Sequence, residues 1–360
     1  MSVLVVVFLA ILAQTPAAGP SFAELSRKAD QARDSNRLDE AVALYRKALK
    51  LKPGWADGWW AVGSITYDQD KYAECAPAFR RLAVLKPDSA AAWTMAGLCE
   101  YRLRQFSTAL SSLERVEQMG FQENTELSRA ARLHLAILLT HSGGFEKAIT
   151  LLTELTRVDK KTPEIIMIAG IAGLRKPWLP SEVPEAERDK VLKLGDAMGA
   201  AMEQDTKGAE EKFEVALQDY PSDANIHFRY GAFLRLQDVD RGIAEIKKAI
   251  EIDPRHIPAL VGLAMIYLKN GEPETARGYA ERAVKAAPDD FASHIALGRA
   301  LLDLDDAAGA ARELEIATRL APGSPEAHFS LASAYSRLGR KADAEREQEQ
   351  FKRLKKTPGT

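Results

Sequence analysis

The chain has only two cysteines in 360 residues, Cys75 and Cys99, and no CxxC pair, so a thiolate metal site or dithiol redox centre is excluded. Aromatic residues make up 7% against 46% hydrophobic residues overall. A core must therefore be built from Ala, Leu, Ile and Val, which suits closely packed helices. Neither charge sign dominates: 49 Lys and Arg face 51 Asp and Glu, for a net charge of −2. Without a positive field, long-range attraction to polyanions is absent and nucleic acid is not an expected partner. No Gly-rich phosphate loop, paired-Gly dinucleotide fingerprint, HExxH or GxSxG occurs, so no cofactor, metal or catalytic residue is assigned. One apolar run stands out, Val3 to Ala13, shorter than the about 20 residues that span a bilayer.

What the chain does have is a period. Shifting Ala259–Pro288 by 34 residues lays Leu263 on Leu297, Ala264 on Gly298, Ala276 on Ala310, Ala283 on Ala317 and Pro288 on Pro322. Closing prolines stand at Pro53, Pro87, Pro221, Pro254, Pro288 and Pro322, separated by 34 or 33 residues wherever the array is unbroken. Small residues recur with them at Ala41, Ala109, Ala148, Ala209, Ala276, Ala310 and Ala344. Two short amphipathic helices split by a Gly or Asp turn and closed by Pro form one unit of a helical solenoid.

These residues resemble the tetratricopeptide repeat. The resemblance implies an all-α fold, an α-solenoid of tandem helix-turn-helix repeats wound as a right-handed superhelix. Repeats are expected at 22–55, 56–89, 90–123, 129–162, 190–223, 224–256, 257–290, 291–324 and 325–358. The first repeat and the terminal helix, whose main apolar residue is Phe351, are polar enough to act as caps. Residues 163–174 read as a first helix, but Pro177, Pro180 and Pro184 occupy the place of its partner. Residues 175–188 are thus expected to separate an N-terminal array, 22–174, from a C-terminal array, 189–358. Gly143-Gly144 falls at an inter-helix turn, and Asp or Ser residues after the closing prolines are expected to cap the helices that follow. Gly63 and Gly97 are expected at close helix crossings, not turns.

In the tetratricopeptide family the first helices line a concave surface. Carried along the period, that stripe contains Trp60, Tyr67, Tyr101, Phe228, Arg235, Met265, Arg299, Phe329 and Arg337. Aromatic and Arg side chains on a rigid surface dominate interface energetics; packing against the adjoining repeat is the bland alternative for each. A carboxylate clamp of the co-chaperone type is disfavoured, because the stripe offers Arg but no Asn partnering a Lys. An extended or helical partner segment fits better. His294 and His328 occupy the bulky slot held by Trp59, Trp93 and Leu260, so core packing is their default over metal binding; His134 and His141 are read the same way, and His227 and His256 have no evident partner. Cys75 and Cys99 belong to adjacent helices and read as two small buried hydrophobes, with a disulfide permissible if the chain is exported. The basic end, Lys352, Arg353, Lys355 and Lys356, reads as the complement of a helix C-terminus.

Residues 1–18 read as a signal peptide, although the segment before Val3 carries no Lys or Arg. An uncleaved anchor is the alternative. The expectation is a non-enzymatic interaction scaffold, periplasmic or secreted, binding protein or peptide segments in an envelope-associated assembly and not inserted in the membrane after cleavage. A substrate-recognition or regulatory subunit of an envelope enzyme, or an uncharted hydrolase, is the alternative.

Overall fold

A computed structural model describes residues 19–121, 125–158 and 160–356. The signal segment expected at 1–18 lies outside the described residues. Among those described there are nineteen α-helices, one 3-10 turn and no strand. The chain forms two compact units that divide between Gln105 and Phe106.

The first unit holds α1 (Phe22–Asp34), α2 (Leu38–Leu51), α3 (Ala56–Asp68), α4 (Tyr72–Leu85) and α5 (Ala90–Arg102). The second holds α6 (Phe106–Gln118), α7 (Glu126–His141), α8 (Phe145–Val158), α9 (Pro163–Gly173), α10 (Glu185–Met202), α11 (Thr206–Asp219), α12 (Ala224–Leu234), α13 (Val239–Ile252), α14 (Ile257–Lys269), α15 (Pro273–Ala286), α16 (Phe291–Asp303), α17 (Ala307–Leu320), α18 (Pro325–Arg337) and α19 (Lys341–Lys356). Each unit is a solenoid of tetratricopeptide helix pairs. Successive helices pack on one another along each array.

Local chemistry explains the helix ends. The Asp290 carboxylate accepts from the Ser293 amide at 2.8 Å, Ser324 Oγ from Ala327 at 3.3 Å, and Asp223 from Asn225 and Ile226, each satisfying an amide that the first helical turn leaves orphaned. Ahead of α14 the cap is His256, whose Nδ1 accepts from the Ala259 amide at 3.2 Å, while Asp253 takes the Arg255 amide instead. Gly143 turns α7 into α8 at φ +90°, a conformation that costs glycine nothing.

Between the helices the core is made of small residues. Ala276 and Ala310 are fully buried, and Gly63 and Gly97 are buried with them. A Cβ on Gly63 would stand 2.7 Å from the Phe79 ring, so its smallness sets how closely α3 approaches α4. At the polar end of the chain, Phe351 of α19 meets the Phe329 ring of α18 at 5.2 Å.

The stretch 175–188, expected to separate two arrays, joins α9 to α10. Residues 175–184 form a connection with a 3-10 turn at Pro180–Glu182 and the buried side chain of Leu179, and α9 packs directly on α10. The reason lies in a pair of glycines outside the proline stretch: a Cβ on Gly170 would sit 1.9 Å from the Val191 carbonyl oxygen, and one on Gly195 would sit 2.0 Å from that of Ile166. Two backbones in contact make α9 and α10 a helix pair despite the long connection. The division into two compact units falls inside the repeat expected at 90–123, with α5 closing one unit and α6 opening the other.

Candidate partner-binding groove

Three of the predicted surface residues converge. Phe228 in the middle of α12, Arg235 at its C-cap and Met265 on α14 line one cavity of about 300 Å³, with Ala232, Val239, Ile246, Gly262, Ile266, Lys269 and Asn270 completing it. Ala232 also lines a second cavity of about 330 Å³ on the other side of α12, walled by Ile149, Thr153, Met198, Ala201, Met202, Phe213, Phe233 and Leu236, with Gln204, Thr206, Arg229 and Gln237 at its polar edge. The two cavities share Ala232 and flank α12 as the candidate groove. Leu236 is 74% exposed and Val239 46% exposed on its rim. Such concavity with a few polar groups is the usual form of a binding site.

The Arg229 charge on the second cavity is held by an ion network. Arg229 is buried, and its Nη1 and Nη2 donate to Glu146 Oε2 and Oε1, both at 2.9 Å, while Arg175 donates to Glu146 Oε1 at 2.8 Å. Burial pushes the Glu146 carboxyl upward, but the guanidinium contacts outweigh it and hold the group below its ordinary value. A bidentate pair fixes orientation as well as charge, so Arg229 positions α12 against α8. Arg235 and Lys269 differ: neither side chain has a hydrogen bond or ion pair among the described residues.

The remaining predicted residues lie elsewhere. In the first unit, Trp60 is 40% exposed with its ring edge on Phe79 at 5.5 Å, Tyr67 meets Tyr72 at 5.8 Å, and Tyr101 is half-buried. In the second unit, Arg299 of α16 reaches Glu326 of α18 at 2.8 Å, and Arg337 of α18 donates to the Leu302 carbonyl and to Asp305 at 3.2 Å. These two arginines tie neighbouring first helices together, which is the packing alternative. Phe329 is 55% exposed despite its contact with Phe351.

Sequence reasoning missed a second periodic device. Trp59 Nε1 donates to the Pro53 carbonyl at 2.9 Å and Trp93 Nε1 to the Pro87 carbonyl at 3.1 Å. His227, His294 and His328 place Nε2 at 3.0, 2.8 and 3.0 Å from the carbonyls of Pro221, Pro288 and Pro322. In each histidine the other nitrogen faces a second-helix carboxylate, Glu245, Glu313 or Glu347, at 2.7, 2.7 and 2.6 Å. The bulky slot is therefore an N–H donor slot, and each His–Glu contact adds a bridge between the two helices of its repeat. The hydrogen bond to Glu245, opposed by burial, raises the His227 pKa above the ordinary 6.5. His256 has a different role: burial lowers its pKa to about 4, and the neutral ring donates from Nε2 to Asn225 Oδ1 at 3.2 Å while Nδ1 caps α14.

Cys75 of α4 and Cys99 of α5, both fully buried, are joined in a disulfide with their Cα atoms 6.2 Å apart. The default of two free hydrophobes is thereby replaced by its alternative. No helix among the described residues is long and apolar enough to cross a membrane.

Comparison with known proteins follows the same lines. A family model described as the Cilia and flagella-associated protein 70 middle TPR-like domain matches residues 194–355, and one described as Tetratricopeptide repeat matches residues 26–90 and 63–120. No curated protein matches the chain significantly. Among solved structures, MamA 41-end from Desulfovibrio magneticus RS-1 is 19% identical at a TM-score of 0.42, covering 48% of this chain and 97% of its own. A MamA RS-1 ArsTM double mutant is 19% identical at a TM-score of 0.42, covering 47% of this chain and 95% of its own.

Proposed function

Because the chain belongs to the tetratricopeptide-repeat family, we propose that it is a non-enzymatic scaffold of an envelope-associated assembly that holds a segment of a protein partner in the groove over α12 and α14. The observation that carries this reading is the convergence of Phe228, Arg235 and Met265 on a single cavity, which shares Ala232 with a second one. A groove whose shape is fixed by helix stacking loses little conformational entropy on binding, so a flexible segment docks with modest contact area. The Cys75–Cys99 bond and the apolar run at Val3 to Ala13 support export to an oxidising compartment.

A photo-crosslinking amino acid at position 265, with position 215 on α11 as control, tests the reading in intact cells. The expected result is a discrete adduct from 265 and none from 215, with an intact-mass measurement showing a chain shortened near residue 18. Equal labelling from both positions, or none from either, would refute the groove assignment.

A further inference from the structure

We infer that the segment held in this groove is acidic as well as apolar, and that Arg235 and Lys269 receive its side-chain carboxylates. This deepens the scaffold reading and rests on it. Across the chain acidic residues slightly outnumber basic ones, 51 to 49, yet no Asp or Glu lines either cavity, whereas Arg229, Arg235 and Lys269 all do. Arg229 is already neutralised by the bidentate contact with Glu146. Arg299 and Arg337, on the first helices that follow, are paired with Glu326 and Asp305. The two cations beside the α12–α14 cavity have no such partner among the described residues, and their charge is available to a ligand. Carboxylates brought to them form charge-assisted hydrogen bonds and steer encounter, while basic segments are repelled.

Gly262 supplies the apolar part of the specificity. It sits in the middle of α14, where glycine weakens a helix, and unlike Gly170 or Gly298 it is not required by a helix crossing: a Cβ there would meet only Phe228 Cε2, at 3.7 Å. Its missing side chain leaves a recess between Phe228 and Met265 in the wall of the cavity. An apolar side chain of the partner seated in that recess, with acidic neighbours reaching Arg235 and Lys269, satisfies shape and charge together. The recognised carboxylates belong to side chains within the segment, so a free chain terminus is not needed.

Panning a phage-displayed library of random 12-residue peptides on the full-length chain tests this, followed by fluorescence anisotropy with the selected peptides made C-terminally amidated. The expected peptides combine Leu, Phe or Met with several Asp or Glu, lose about tenfold in affinity for each cation reversed in Arg235→Glu and Lys269→Glu, and bind more weakly as salt rises. Gly262→Leu, which fills the recess, abolishes their binding while circular dichroism stays unchanged. Peptides sensitive to Gly262→Leu but without acidic bias would overturn the charge assignment and leave the scaffold reading standing. Recovery of no peptide sensitive to Gly262→Leu would overturn both. A dimer in sedimentation velocity that Arg235→Glu with Lys269→Glu dissolves would give the groove to a second copy of the chain instead.

Discussion

The same substitution, Gly to Ala, is expected to act in opposite directions at two positions that look alike in sequence. Gly170 in α9 and Gly262 in α14 both sit inside helices, where Ala is favoured over Gly by about 1 kcal/mol. At Gly262 the new methyl finds its nearest neighbour, a Phe228 ring carbon, at 3.7 Å, an ordinary contact. The propensity gain is then realised, and the variant should be more stable by about 0.5–1 kcal/mol. At Gly170 the methyl would lie 1.9 Å from the Val191 carbonyl oxygen. Carbon and oxygen ordinarily approach to about 3.3 Å, so the helices must part by more than 1 Å along that line. No side-chain rotation relieves the overlap, because the obstacle is backbone and the reverse contact, Gly195 against the Ile166 carbonyl, is equally close at 2.0 Å. Taking an overpacking cost of about 3 kcal/mol and subtracting the propensity gain of about 1 kcal/mol, Gly170→Ala should lose about 2 kcal/mol, which separates the two variants by about 3 kcal/mol. Stability in a repeat array is local, so the measurement is urea unfolding combined with hydrogen exchange resolved to α9, α10 and α14. A Gly170→Ala chain that unfolds at the wild-type urea concentration, with unchanged protection in α9 and α10, would refute the argument from backbone contact.

Two further outcomes follow from named contacts. The Cys75–Cys99 bond closes a loop spanning 24 residues of sequence separation, worth about 3 kcal/mol in the chain-entropy account; reductant should lower the unfolding temperature read by Trp fluorescence in the first unit, and no shift, or two thiols labelled in the unreduced denatured chain, would count against the bond. His227 and His256 should bend the pH profile of the second unit in opposite senses. The raised His227 pKa makes its contribution complete below pH 6.5 and lost as pH climbs through the higher folded value, and Glu245→Gln should remove that loss. His256, lowered to about 4, binds its proton more readily in the unfolded chain, so stability should fall as pH drops from 6.5 toward 4. His256→Asn, which keeps a capping side chain, should flatten that limb; unfolding midpoints independent of pH between 4 and 8 would dispose of both assignments.

The fold was legible because a fixed period constrains many residues at once. Ala276, Ala310, Gly63 and Gly97 had to be small wherever helices cross, and they are buried. The surface was less legible, for a physical reason: spacing places a residue on a face of its helix but not the rotation of the next repeat, which decides whether that face meets solvent or protein. Arg235 and Arg299 belong to one predicted stripe, yet only Arg299 finds a carboxylate, Glu326, 27 residues later. The α9–α10 pairing was hidden for a related reason. Three prolines in the connection point to a break, and a small residue in the repeat slot at Gly170 does not by itself reveal that its partner is the Val191 backbone. The donor slot did leave a trace. Trp59, Trp93, His227, His294 and His328 each stand six residues after a closing proline. Read as bulk, the slot suggested core packing; read as an N–H donor, it would have found the carbonyl.

That slot has one exception, and its location bears on the groove. Six residues after Pro254 stands Leu260, which has no proton to give the carbonyl. In the same helix, His256 has taken over the cap, Gly262 forgoes the side chain a helix interior favours, and Lys269 ends the helix without a partner among the described residues. Leu260 gives up the donor bond that Trp59, Trp93, His227, His294 and His328 keep, and Gly262 gives up helix propensity without the close crossing that requires glycine at Gly63, Gly170 or Gly298. Random drift in a repeat array would scatter such losses across its helices. Both departures lie on α14, the helix that walls the cavity opposite Phe228 and Arg235, in keeping with the tendency of breached local rules to concentrate where a site requires them. Restoring the rule should separate the two demands: Leu260→His is expected to gain the Pro254 contact and leave peptide binding intact, because Leu260 is fully buried on the face away from the cavity, whereas Gly262→Leu should strengthen the helix and close the groove. If both substitutions weaken peptide binding equally in the anisotropy assay, the cavity wall and the stacking face are not independent, and the division of α14 into a binding side and a packing side fails.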